Sequence, residues 1–285
     1  MFVVLNMIKP CDGFFARAKQ RKEIAHAQAR TCRNEKGLPF FILNVYEEKS
    51  GINWALTAQK CGRYASRVIA PRSLTLPDSS AIKRFVPSFM NSLLIFNTAA
   101  EIISMAKLPP EKICITLTDR TALHASRICR LLPLAACVRV VTAQPERYAA
   151  ACSRAMTEYG ASLVIRPSYE PSLKPDIVIC CDGAVTCAMS NAAIFTSKRI
   201  NCGKIRFSGS GTLLTAKHTE LIPPSIDTVD FAGALTELCG SSEYKSSVFS
   251  ELDISCSACA VGQSEKCLEC YFKNSVPEAA VSIKA

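Results

Sequence analysis

Histidine and tryptophan are scarce in this sequence. There are three histidines (His26, His124 and His218) and one tryptophan. No H-x-x-x-H or H-E-x-x-H spacing occurs, which excludes the metalloprotease helix. No G-x-S-x-G elbow and no G-x-x-x-x-G-K-[ST] loop occurs either, which excludes the common hydrolase nucleophile and the P-loop. No apolar run approaches the roughly 18–20 residues of a membrane span. Met1–Ile8 is apolar but short, and no basic stretch precedes it, so it does not read as a secretory leader. With 12 Gly and 15 Pro in 285 residues, collagen-like and Gly/Pro low-complexity chains are excluded.

Hydrophobic residues make up 49% of the chain and charged residues 20%, enough apolar surface for a packed core. The net charge is +10. Half of it lies between Lys9 and Lys36, where eight basic residues face three acids. Such a patch attracts phosphate backbones, so nucleic acid is a possible partner through residues 14–36; a solvated helix face is the plainer reading. The 16 cysteines are many for an intracellular protein. Several fall in apolar runs (Cys114, Cys180, Cys181), where a thiol is a small filler. The expected setting is a reducing cytoplasm with mostly free thiols.

Residues 14–33 read as a helix, 39–46 as a strand, 52–69 as a helix starting near Asn53 and open to a break at Gly62, and 81–106 as helix with a kink or new start at Pro87. From Pro109 the pattern becomes regular. Strands are expected at Lys112–Asp119, Cys137–Thr142, Ala161–Arg166, Asp176–Cys181 and Lys204–Ser208. Helices are expected at Arg120–Leu132, Pro145–Tyr159 (ended by Gly160), Met189–Ser197 and Asp230–Leu238. This alternation predicts an α/β fold with a doubly wound, mostly parallel, Rossmann-like sheet. The expected organisation is a mixed, partly helical region over 1–108 with the basic helix, the sheet domain over 109–240, and a tail over 241–285.

In an open α/β sheet, ligands sit beyond the C-terminal strand ends at the switch point. With strand order 3-2-1-4, Thr118, Asp119, Arg120 and His124 of the first strand and turn face Asp182 and Gly183 of the fourth. Asp119 and Asp182 are either a carboxylate pair or, more plainly, strand-end acids bonded to loop backbone. Phe207–Thr212, with Gly209 and Gly211, is a candidate anion nest or an ordinary turn. Over residues 109–200 the alternation resembles the nucleotide-binding half of dehydrogenase-type Rossmann proteins, at the level of fold. The resemblance implies NAD(P). Yet the first turn, Thr118-Asp119-Arg120-Thr121-Ala122-Leu123-His124, has no glycine, and the second strand ends without an acid for a ribose hydroxyl. Standard NAD(P) binding is therefore disfavoured, and no cofactor residue carries over.

Near the C-terminus, Cys256, Cys259, Cys267 and Cys270 form C-x2-C-x7-C-x2-C. Two close pairs joined by a short loop with Gly262 can converge on one ion, and four thiolates make a closed tetrahedral Zn²⁺ site. The motif resembles zinc knuckles and ribbons. Iron–sulfur ligation and redox thiols are the alternatives. The leading reading of the whole chain is a degenerate Rossmann-like domain that binds a small ligand or a protein partner without catalysis and carries structural zinc. An oxidoreductase with an atypical cofactor turn is the alternative, and a nucleic-acid-binding protein the second.

Overall fold

The computed structural model describes residues 1–8, 39–47, 51–170, 174–182, 191–197, 205–256 and 264–275. The basic segment 14–36, Gly183 and Cys259 lie outside the described residues. In chain order the elements are β1 (Phe2–Ile8), β2 (Phe40–Tyr46), α1 (Trp54–Cys61), β3 (Val68–Ile69), α2 (Met90–Met105), β4 (Cys114–Thr118), β5 (Cys137–Val141), α3 (Ala149–Tyr159), β6 (Leu163–Arg166), β7 (Ile177–Cys180), β8 (Ala193–Thr196), β9 (Ile205–Thr212), α4 (Ala216–Thr219), α5 (Thr228–Cys239), β10 (Phe249–Cys256) and α6 (Ser264–Ser275). The chain divides into two units, Met1–Met90 with Leu213–Lys245, and Asn91–Thr212 with Ser246–Ala285. Helix α5, counted with the sheet domain from sequence, belongs to the first unit.

In the first unit, β1–β3 form a parallel sheet in the order β2-β1-β3. The apolar start of the chain is thus a central strand, paired with β2 from Phe2↔Phe40 to Ile8↔Tyr46. Phe2 and Phe40 stack at 5.5 Å, and Phe231 of α5 meets Phe40 edge-on at 5.1 Å. Asn53 caps α1 as expected, accepting the Leu56 N–H. Asp227 caps α5, and the Arg72 guanidinium forks over Asp230 at 2.9 and 3.0 Å.

The second unit is a seven-stranded sheet in the order β10-β9-β8-β7-β4-β5-β6. Every neighbouring pair is parallel except β9 with β10. This is the expected doubly wound α/β sheet, and the expected 3-2-1-4 order is its half β6-β5-β4-β7. β7 (IVIC) and β8 (AIFT) are buried throughout, as strands covered on both faces must be. Edge strand β6 ends at exposed Arg166. Gly160 closes α3 in the left-handed conformation, its N–H reaching the carbonyls of Ala155 and Met156.

Several expectations are corrected. The helix expected over 52–69 ends at Cys61 with Gly62 as its C-cap, at the break foreseen there, but it does not resume as α-helix, and Val68–Ile69 is a strand. Of 81–106 only Met90–Met105 is helical, which is the new start after Pro87 and not the kink. Arg120–Leu132 forms turns and then a 3₁₀ helix over Ile128–Leu134 with Pro133 inside, not an α-helix. The helix expected over 189–197 is replaced by strand β8. Phe207–Thr212 is no loop but the second half of β9, paired with β10 at Ser208↔Asp253, Gly209↔Leu252 and Ser210↔Glu251.

Gly209 has a specific reason to be glycine. A Cβ there would lie 2.2 Å from the Phe249 ring, which crosses the strand at that point. Gly209→Ala is therefore expected to lower the unfolding free energy by about 1–3 kcal/mol in urea melts, as overpacking does. Phe249→Leu in the same chain should recover part of the loss.

Candidate functional site

The C-terminal ends of β4 and β7 lie side by side, with Thr118 opposite Cys180. Thr118, Asp119, Arg120 and Asp182 are thus brought together as expected. The Thr118 hydroxyl donates to Asp182 Oδ1 at 2.9 Å, and the Arg120 N–H to Oδ2 at 3.2 Å. Asp182 is half-buried.

Asp119 is turned inward, with 2% of its surface exposed. Its Oδ1 accepts the Leu123 N–H at 3.0 Å, and its Oδ2 accepts the His124 N–H at 2.8 Å and the Tyr148 hydroxyl at 2.6 Å. Its own carbonyl accepts the Ala122 N–H, closing a tight turn in which Ala122 takes a φ of 54°. In a dinucleotide-binding turn, N–H groups at this point meet a coenzyme phosphate at a helix N-terminus. Here two of them meet a side-chain carboxylate, and turns and a 3₁₀ helix replace the α-helix. Both acids thus accept from the end of β4 and the turn after it, Asp119 from two backbone N–H groups and Asp182 from one backbone N–H and the Thr118 hydroxyl.

His124 is fully buried and lies flat on Phe96, centroids 4.7 Å apart and planes 9° from parallel. Its Nε2 shares a 2.7 Å hydrogen bond with Ser92 Oγ. The pair has the spacing of a nucleophile and its base. Ser92, however, is only 4% exposed, so neither group reaches solvent. Burial pushes the imidazole down to about 4, with Asp119 opposing and Arg127 adding to the shift. Cys181 packs on the same helix, its Sγ 3.6 Å from the Ser92 carbonyl, and burial raises its thiol well above the ordinary range. Sequence reasoning missed Tyr148 and Ser92. Nothing local marks them, since Tyr148 reaches Asp119 from the next crossover and Ser92 reaches His124 from α2.

The hydroxyls of the Ser-Gly segment are bonded across to β10 and the residue before it, with Ser208 and Thr212 buried and Ser210 exposed. Ser208 donates to the Asp253 carbonyl, Ser210 to the Glu251 carboxylate and Thr212 to the Val248 carbonyl. Gly209 and Gly211 lie in β9, so neither the candidate anion nest nor the plain turn describes this stretch. Of the four motif cysteines, Cys256 ends β10, while Cys267 (buried) and Cys270 (half-buried) sit three residues apart on α6. Among the described residues, no group of three or more His, Cys, Asp or Glu side chains is arranged to hold a metal ion. No helix among them is long and apolar enough to cross a membrane.

No family model matches the chain, and no curated protein matches it. Among solved structures, L-tryptophan dehydrogenase from Nostoc punctiforme is similar over 95% of this chain and 80% of that one, with 17% identity and a TM-score of 0.31. Likeness of that degree says nothing about activity. The class of protein is set by the sheet itself: an α/β chain with a Rossmann-like strand order.

His124 gives stability a pH dependence. Its folded pKa lies below the unfolded value of about 6.5, so the unfolded state binds the extra proton. This contribution is intact above about pH 6.5 and is lost as pH falls toward 4, with about 2 kcal/mol gone by pH 5. Urea melts at several pH values should show His124→Gln losing less stability than wild type between neutral pH and pH 5.

Proposed function

We propose that the sheet unit is a degenerate dinucleotide-binding fold that acts by binding a small ligand or a protein partner, without nicotinamide coenzyme chemistry. The observation that carries this reading is the Asp119 carboxylate bound to the Leu123 and His124 N–H groups. A diphosphate arriving there would meet like charge and side chains where it needs bare backbone. It would also have to displace three hydrogen bonds to a buried carboxylate, each worth about 1.5–3 kcal/mol. Arg120 and Arg127 supply positive charge nearby, but charge alone does not open the turn.

Isothermal titration and thermal-shift assays with NAD⁺, NADH, NADP⁺ and NADPH are expected to give no saturable response. A saturable midpoint rise that Arg120→Ala abolishes would overturn the reading and favour the oxidoreductase alternative.

The same proposal gives Cys256, Cys259, Cys267 and Cys270 a structural zinc ion. The support is their spacing, with Cys267 and Cys270 one helical turn apart on α6 and set against the sheet unit. Four thiolates would leave no open coordination position, so the ion would hold the tail in place without reacting. Metal analysis of the purified chain is expected to find about one zinc per chain, lost together with α6 protease resistance in Cys267→Ser. Iron with visible charge-transfer absorption would instead assign a cluster.

A further inference from the structure

At the opposite end of the sheet from Asp119 lies a hollow of about 450 Å³. It opens where α2 runs into β4, beside the start of β7 and the last turns of α6. That volume falls within the usual range for small-molecule sites. Leu108, Ile113, Tyr271 and Phe272 give it an apolar wall. The two rings stand edge to face at 5.2 Å, and the Tyr271 hydroxyl donates to the Asn191 carbonyl, which fixes that wall.

Charges of both signs line the same hollow. Lys107 and Lys112 contribute ammonium groups, Asp176 and Glu269 carboxylates. Asp176 Oδ2 accepts the Cys114 N–H at 2.8 Å. Among the described residues, Lys107, Lys112 and Glu269 make no ion pair or side-chain hydrogen bond. A second observation concerns Lys107 itself. It follows the end of α2 with a φ of 46°. Glycine takes that helix-ending conformation freely, whereas a side chain takes it at a cost. A lysine is thus kept in a strained position at the rim of a cavity, a pattern found at ligand sites.

We propose that this hollow binds a small zwitterion with an apolar side chain, of amino-acid to dipeptide size. The apolar part would lie against Tyr271 and Phe272, the carboxylate toward Lys107 and Lys112, and the ammonium toward Glu269 and Asp176. The inference does not depend on the closed coenzyme turn, so the coenzyme titrations leave it untouched.

Isothermal titration of the full chain with L-phenylalanine and with L-leucyl-L-phenylalanine tests it. At least one is expected to bind with a Kd below about 1 mM. N-acetyl-L-phenylalanine, which lacks the ammonium, and L-phenylalanine amide, which lacks the carboxylate, should each bind at least about tenfold more weakly than L-phenylalanine if the amino acid binds. Lys107→Gly should weaken binding about fivefold or more while raising Tm by about 2 °C, which separates a lost contact from a lost fold. Glu269→Gln should weaken the zwitterion and leave 3-phenylpropionate binding unchanged or stronger. Failure of both zwitterions to bind below about 5 mM, or wild-type affinity in both variants, would overturn the proposal.

Discussion

The buried carboxylate of Asp119 fixes the connection at the C-terminal ends of the central strands of the sheet unit. Taking such a charge out of water costs several kcal/mol. The cost is offset because its oxygens accept two backbone N–H groups and one phenol hydroxyl. Through its own N–H the same residue bonds the Val141 carbonyl at the end of β5. One side chain thus ties the first strand, its turn and the second crossover together. The turn then has no geometry left for an α-helix: Ala122 is left-handed, and regular structure resumes only at Ile128 as a 3₁₀ helix.

Two other acids do comparable work in the first unit. Asp227 accepts the N–H groups of Val229 and Asp230 at the start of α5. Glu237 accepts those of Ser88, Phe89 and Met90 together with the Ser88 hydroxyl. In all three places backbone donors that elsewhere receive an anion or water are satisfied by a carboxylate of the chain. Such internal capping stabilises the fold and removes these N–H groups from the supply open to a dissolved phosphate.

What was legible in the sequence follows from how each element is buried. β4 and β7 are covered on both faces, so their apolar runs are continuous and their type is plain. Gly160 and Asn53 were readable because a left-handed stop and a side-chain cap each demand a narrow set of residues. β8 is not legible as a strand because four residues, Ala-Ile-Phe-Thr, are too few to show a period. The Ser-Gly stretch was mistaken for a loop because glycine there marks the close approach of Phe249, not a turn. At the candidate site, strand order placed Asp119 and Asp182 together. The inward turn of Asp119 was not legible, because it depends on Tyr148, 29 residues away in sequence.

Cysteine abundance and cysteine spacing carry different information here. Burial raises the thiols of Cys61 and Cys114 to about 11 and about 12, the latter also by its cross-strand neighbour Cys137. Such groups stay protonated at neutral pH, where a metal ligand or nucleophile must be a thiolate. Cys129 and Cys180 are likewise buried and serve as small apolar residues. At these four described positions the thiol serves packing and is no argument for metal. Only the spacing of Cys256, Cys259, Cys267 and Cys270 speaks for the proposed ion. The α6 segment brings few apolar groups to the sheet unit, chiefly Leu268 and Tyr271. A short helix with so small an apolar face gains little from burial alone. In the proposed zinc site the ion would add a constraint joining this helix to the end of β10.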